Sequence, residues 1–143
     1  MIGIIGIVGI LSCTNKQNAT KIEVGNITED IVSKIELKKV DFGILTIAHV
    51  SCSDYESWFN LDSKKSTIEN QDSISLFMDI INNLQRDISE YNYDKSPDVR
   101  AKLLIFHTNN TTDTLCMGNR DCIMLNGKLY LFDYKLMKIV ENL

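Results

Sequence analysis

Proline is almost absent from this sequence, which contains only Pro97 in 143 residues. Proline interrupts helices and central strands, so nearly the whole chain is free to form regular structure. Basic charge is also scarce. The formal net charge is −4, and the only adjacent basic residues are Lys38–Lys39 and Lys64–Lys65. Because binding to phosphate backbones requires a basic surface, this composition argues against a nucleic-acid-binding function.

Recognisable catalytic motifs are absent as well. The sequence contains no Gly-rich phosphate loop, no GxSxG and no HExxH. Its two histidines, His49 and His107, each lie in a predicted strand, where a single histidine is more often structural than catalytic. The spacing of Cys116 and Cys122, with no histidine beside them, does not suit zinc. We therefore expect no catalytic residues, no metal site and no cofactor.

Near the amino terminus, the apolar run is too short to span a membrane. Residues 2–11 read IGIIGIVGIL, and a helix of ten residues covers about 15 Å, roughly half of a bilayer core. This length suits the apolar region of a secretory signal, so residues 1–12 are predicted to be a signal peptide. The alternative is a buried strand that ends in a structural cysteine, but Gly3, Gly6 and Gly9 weaken a strand.

The residues ILSC at positions 10–13 resemble the lipobox of bacterial lipoproteins. The resemblance implies that Cys13 receives a diacylglyceryl thioether, and that cleavage after Ser12 frees its amine for a further acyl chain. Thr14 stands where an Asp would retain a lipoprotein in the inner membrane, which favours the outer membrane. We expect residues 13–27 to be the lipidated cysteine and a polar tether.

Residues 28–143 are expected to form a single α+β domain. The pattern predicts the order β-β-α-β-β-β-β-α, with a loop at residues 60–71 and an Asn126–Gly127 hairpin turn. A stripe of apolar residues predicts an amphipathic helix from Asp72, its N-cap, to Tyr91. This helix is expected to cover one face of a mostly antiparallel sheet, giving two layers. Asp133 caps a short C-terminal helix. The predicted strands are Ile35–Val40, Ile44–Val50, Val99–Thr108, Thr112–Met117, Cys122–Leu125 and Lys128–Phe132.

The pattern DVRAKLLIFHTNN…DTLCM…IMLNGKLYLFDYKLMKIV resembles the C-terminal part of small uncharacterised lipoproteins of Bacteroidetes. The resemblance covers roughly residues 98–140 and the lipobox. It implies a protein of the cell envelope with a C-terminal β-meander and without an assigned activity. It brings no catalytic residues to this chain.

Two kinds of covalent modification are predicted for the domain. In a hairpin, Cys116 and Cys122 would face each other closely enough for a disulfide, and an exported chain would permit one. Cys52 is an alternative partner for either cysteine. The remaining alternative is that all three cysteines are buried and reduced. Ser73 and Thr114 each lie in an Asp-Ser/Thr-aliphatic sequence, the short pattern of O-glycosylation in Bacteroidetes envelope proteins.

These features favour a lipid-anchored binding or accessory module of the envelope, including an inhibitor-like or immunity-like role. Its partners would be the membrane, through the anchor, and an envelope protein or glycan. Asp54 and Glu56 beside Tyr55 and Trp58 would suit a sugar, although such a pattern is more often a capped turn with core aromatics. The alternatives are a small envelope hydrolase that uses a histidine with a nearby carboxylate, and a purely structural lipoprotein.

The anchor generates the first testable prediction. The variant Cys13→Ala should leave the membrane fraction or accumulate as uncleaved precursor, because each buried CH₂ of the lipid contributes about 0.8 kcal/mol and two chains anchor stably. Fractionation and fatty-acid labelling measure this, with Cys122→Ala as the control. An alanine variant that stays membrane-bound and labelled would rule out lipidation at Cys13.

Overall fold

The structure is a computed structural model that describes residues 30–88 and 95–143. The predicted signal peptide, Cys13 and the tether lie outside the described residues. The secondary-structure elements are, in chain order, β1 (Val32–Lys39), α1 (Tyr55–Phe59), β2 (Lys64–Ile68), α2 (Gln71–Asn82), β3 (Val99–His107), β4 (Thr112–Gly118), β5 (Cys122–Leu125), β6 (Lys128–Leu131) and α3 (Tyr134–Asn142).

All six strands belong to one open antiparallel sheet with the order β2-β1-β3-β4-β5-β6. Consecutive hairpins join β3 to β6, as predicted from the turn residues. The β5–β6 turn contains Asn126 (φ +50°) and Gly127 (φ +75°), the left-handed conformations that a two-residue hairpin of this kind requires. The prediction of a mostly antiparallel sheet in an α+β fold is therefore confirmed.

Helix α2 differs at both ends from the predicted one. It begins at Gln71 because the side chain of Asn70, not Asp72, accepts the backbone N–H of Ser73 at 3.1 Å. It ends at Asn82, since the chain beyond it pairs with the edge of the sheet. The N–H of Leu131 donates to the carbonyl of Gln85 at 2.8 Å, and Arg86 and Tyr130 form a β-bridge.

Two predictions about the second strand are wrong. The segment Ile44–Val50 contains no strand, and β2 lies instead within residues 60–71, which had the composition of a loop. The edge position of β2 explains the error. An edge strand faces solvent over most of its surface, so it lacks the apolar alternation by which strands are recognised. Only Ile68 of β2 is buried.

Apolar residues are buried on both sides of the central strands. In β4, Leu115 and Met117 belong to one cluster, whereas Cys116 between them belongs to another. Successive side chains of a strand point to opposite faces. The larger cluster also contains buried residues of β1, β3, α2 and α3, and the smaller one combines Val40, Val50, Tyr55, Phe59 and Val99 with Cys116.

The larger cluster predicts the cost of shortening one helix residue. Ile81 of α2 is 5% exposed and lies in this cluster. Replacing it by alanine should lower the free energy of unfolding by about 2–5 kcal/mol, measured by urea denaturation. Leu76 lies on the same helix but is 54% exposed, so Leu76→Ala should cost much less. Equal losses in the two variants would contradict this packing of α2.

Candidate functional site

The most distinctive polar geometry lies where β1 ends and β3 begins, which we call the loop end of the sheet. Because the strands are antiparallel, the last residue of β1, the first residues of β2 and β3 and the last of β4 meet there. Segment 41–50 and turn 119–121 follow directly from these strands. Of the candidate residues named from the sequence, His49 lies at this end, in segment 41–50.

Arg100 holds this end together. It is 4% exposed, and a register shift between Val99 and Ala101 places it at a β-bulge. Its guanidinium forms a two-pronged ion pair with Asp98, with both N–O distances at 2.8 Å. The remaining N–H groups donate to the carbonyl of Ile44 at 3.1 Å, the hydroxyl of Thr46 at 3.1 Å and the carbonyl of Val99 at 3.0 Å.

Asp98 connects the guanidinium to the neighbouring loops. Its Oδ1 accepts the N–H of Val50 at 2.9 Å, and its own N–H donates to Asp121 at 2.9 Å. Partial burial raises the pKa of Asp98, but the hydrogen bonds from Arg100 and Val50 outweigh it and hold that pKa below its ordinary value. A side chain at Gly118 would lie 2.3 Å from the Asp98 carbonyl, so only glycine fits there.

Segment 41–50 is therefore fixed at its base, while its tip carries apolar side chains into solvent. Leu45 is 95% and Ile47 100% exposed, and Ile44 is partly exposed. Arg100 donates hydrogen bonds to the Ile44 carbonyl and to the Thr46 hydroxyl, so the backbone of this stretch is held in place. We call residues 44–47 the apolar tip.

A cavity of about 600 Å³ lies beside this segment. The cations Lys39, Lys64 and Arg120 line it together with Asp41 and Glu141. A second cavity of about 310 Å³ lies between the segment and the Arg100–Asp98 pair. The two cavities share Phe42, Gly43 and Asn119 as lining residues.

The disulfide joins Cys52 to Cys116, not Cys116 to Cys122. The predicted pair fails because Cys116 lies opposite Met124 in the β4–β5 register, which leaves Cys122 in the diagonal position, beyond disulfide reach. The observed bond is the predicted alternative in which Cys52 takes the place of Cys122. Cys122 is a buried free thiol, and burial, together with Asp121, raises its pKa to about 11, which disfavours the reactive thiolate at neutral pH.

The two histidines lie at opposite ends of β3. His107 ends the strand, with its Nε2 2.9 Å from Asp113 and its Nδ1 3.2 Å from Asp30. His49 contacts the carbonyl of Ser96, just before the strand. The Nε2–Asp113 hydrogen bond joins the end of β3 to the start of β4, whereas the buried Nδ1 forms no hydrogen bond within the described residues.

The aromatic segment near Glu56 forms a packed turn. Tyr55 and Phe59 are buried, and only Trp58 is partly exposed. The Glu56 carboxylate lies 2.9 Å from Lys102 and 3.6 Å from Lys38. Partial burial raises the pKa of Glu56, but its bond to Lys102 outweighs this and lowers the pKa. The buried aromatics match the turn with core aromatics rather than the sugar site, although the Asp54 side chain does not cap α1.

The modification sites occupy different surroundings. Ser73 is exposed in the first turn of α2, and Thr114 is half-buried in β4, where its N–H donates to Asn126 at 2.8 Å. O-glycosylation of both stays a prediction.

Arg100 generates a prediction about pH. Because the pKa of Asp98 is lower in the folded state than its ordinary 3.8, its ion pair stabilises the fold above about pH 4 and loses this effect as the pH falls through the folded pKa. Asp98→Asn should lower the free energy of unfolding by about 1–3 kcal/mol near pH 7, because it removes the charge that pairs with Arg100. The loss is moderate because Asp98 itself is partly exposed to solvent. The difference from the wild type should shrink as the pH falls below the ordinary pKa of 3.8 and through the lower pKa of the folded state.

Urea denaturation across this pH range measures the effect. The control is Asp62→Asn, because Asp62 is exposed and makes no ion pair within the described residues. A loss at Asp98 that stays constant down to the lowest pH would contradict the assigned role of its carboxylate.

No helix of the described residues is long and apolar enough to cross a membrane, and the same residues contain no cluster of three or more metal-binding side chains. No protein-family model, no curated protein and no solved structure matches the chain.

Proposed function

We propose that this chain is a lipid-anchored binding module of the bacterial envelope, held in the outer membrane through Cys13, that contacts an envelope protein with the apolar tip. An inhibitor-like or immunity-like role belongs to this class. One observation carries the proposal: Leu45 and Ile47 are almost completely exposed on a segment whose base is fixed by the buried Arg100.

Fixed apolar side chains are favourable for binding. Neighbouring exposed apolar residues often mark an interaction surface. A segment that is already ordered loses little conformational entropy when a partner covers it. The bonds of Arg100 to Ile44 and Thr46 order the tip before any partner arrives. Burial of Leu45 and Ile47 can therefore contribute to affinity without the cost of folding a loop.

The disulfide supports an exported protein. Stable disulfides form in oxidising compartments such as the periplasm and are rare in the cytosol. Cys52 and Cys116 are 64 residues apart in sequence, and their bond ties the segment before α1 to the centre of the sheet. This is consistent with the lipobox resemblance at Cys13, which rests on separate residues.

The position of the apolar tip also suits an anchored protein. The described chain enters at Asp30, just before β1, whereas the tip follows the other end of β1. Eight strand residues at about 3.3 Å each separate the two ends by about 25 Å. When the amino-terminal end faces the membrane, the apolar tip points away from it, toward a protein partner.

We also infer that α2 and α3 together cover one face of the sheet, as the second layer of a two-layer domain. Ile74, Phe77 and Ile81 of α2 share a buried cluster with the inward residues of β1, β3 and β4. The smaller cluster around Tyr55 lies on the opposite side of β4. The loop end, rather than either face, is then the accessible part of the sheet.

Site-specific photo-crosslinking in envelope membranes tests the binding role. A photoreactive residue at position 45 or 47 of the lipidated protein should give one defined protein adduct. The matched control is position 61, because Leu61 is 94% exposed but lies outside the apolar tip. The double variant Leu45→Ser/Ile47→Ser should abolish copurification of the same protein, with stability changed by less than about 0.5 kcal/mol.

Two results would contradict the proposed function. Absence of an adduct at positions 45 and 47 would leave the purely structural lipoprotein as the better explanation. The same adducts at positions 45, 47 and 61 would show contact that does not depend on the apolar tip.

A further inference from the structure

We propose that the cavity of about 600 Å³ at the loop end binds a small organic anion, whose carboxylate or phosphate group is held by Lys64 and Arg120 beside Lys39. This site does not depend on the protein partner proposed above. Three observations support the proposal: the position of the three cations, the bonds of the nearby carboxylates to other groups, and the backbone conformation of Arg120.

Lys39 and Lys64 lie directly opposite each other on β1 and β2. Like charges in this position repel and destabilise a sheet. The Nζ of Lys39 donates to the carbonyls of Val140 at 2.9 Å and Glu141 at 2.6 Å, at the end of α3. Burial, and then the charge of Lys64, lower the pKa of Lys39, whereas the charge of Glu141 raises it, and the lowering prevails.

The opposite face of the same strands shows how the fold neutralises such a pair. Lys38 lies opposite both Lys65 and Lys102. There, Glu56 reaches over from α1 and forms ion pairs with Lys38 at 3.6 Å and Lys102 at 2.9 Å. On the cavity side no comparable carboxylate of the described residues pairs with Lys39 or Lys64.

The carboxylates that line the cavity bind other groups. Asp41 accepts the N–H of Gly43 at 2.7 Å, and Glu141 forms an ion pair with Lys138 at 3.1 Å. Within the described part of the chain, the side chains of Lys64 and Arg120 form no hydrogen bond or ion pair. They are therefore available to an anion that enters the cavity.

Arg120 occupies an unfavourable backbone conformation at the rim. Its φ is +61°, in the left-handed region that Gly or Asn adopts at lower cost. Turn geometry alone would favour one of those residues, so the arginine is not explained by the turn. Strained residues of this kind are concentrated at binding and catalytic sites, and a guanidinium matches the two oxygens of a carboxylate or phosphate.

The size and lining of the cavity define the ligand class. Ligand cavities typically measure about 300–1,000 Å³, so this one accommodates a molecule of the size of a sugar acid or sugar phosphate. Phe42 and Met137, both largely buried, contribute apolar surface to the lining. Three cations and two carboxylates leave an excess of one positive charge, which suits an acidic ligand rather than a neutral one.

Calorimetric titration of the full chain tests this site, with glucuronate and glucose 6-phosphate as probes and glucose as the neutral comparison. At least one acidic probe should bind with a dissociation constant below about 1 mM, and glucose should not. Binding of only one acid identifies carboxylate or phosphate as the preferred group. Lys64→Gln and Arg120→Asn should each weaken binding about tenfold or more.

The same variants separate a binding role from a structural one. Both should keep or raise the melting temperature, because Lys64→Gln removes a repulsion and Arg120→Asn suits the left-handed backbone. Lys65→Gln removes the same charge from the opposite face and should bind like the wild type. Failure of both acids to bind, equal weakening by Lys65→Gln, or unchanged binding in Lys64→Gln and Arg120→Asn would each overturn the proposal.

Discussion

The buried guanidinium of Arg100 is the constraint on which the loop end depends. Removing a charged group from water is costly unless every hydrogen-bonding atom finds a partner. Here the partners are Asp98 and groups of the chain at Ile44, Thr46 and Val99. Satisfying one arginine therefore fixes the course of segment 41–50, which has no regular secondary structure of its own.

That segment determines what lies on either side of it. Its end at Val50 enters the smaller apolar cluster with Tyr55, Phe59 and Cys116, so the central strands are buried on both faces. The disulfide between Cys52 and Cys116 links the smaller cluster covalently to β4. Its tip, by contrast, leaves Leu45 and Ile47 in solvent. The same anchoring thus produces a core on one side and an exposed apolar surface on the other.

Both proposed sites lie at the loop end, where the strand ends and the loops that follow them are exposed to solvent. The apolar tip would bind by hydrophobic contact with a protein, whereas the cavity beside it would bind by charge. They share the lining residues Phe42, Gly43 and Asn119 through the two adjoining cavities. A ligand in the larger cavity would therefore lie next to the base of the segment that carries the tip.

Local sequence was sufficient for the elements that local interactions determine. The β3–β6 meander followed from alternation and from turn residues such as Asn126 and Gly127, and Asp133 was recognised as the cap of α3, where it accepts the N–H of Leu136 at 2.9 Å. The choice of Asp72 as the cap of α2 was wrong, because Asn70 two residues earlier has the same capping chemistry and the sequence does not rank the two.

What the sequence by itself determined about this protein is therefore its periodic elements, while the lipobox at Cys13 stays a prediction. The tertiary structure decided the partner of Cys116, the position of β2 and the role of Arg100. Each of these depends on residues far apart in the chain: 64 positions for the disulfide and 54 for the bond from Arg100 to Thr46. An arginine that follows Asp98 by two residues within an apolar strand was the one available signal of a buried pair. The loop partners of Arg100, Ile44 and Thr46, could not be predicted from the sequence, because only the folded chain brings them within hydrogen-bonding distance.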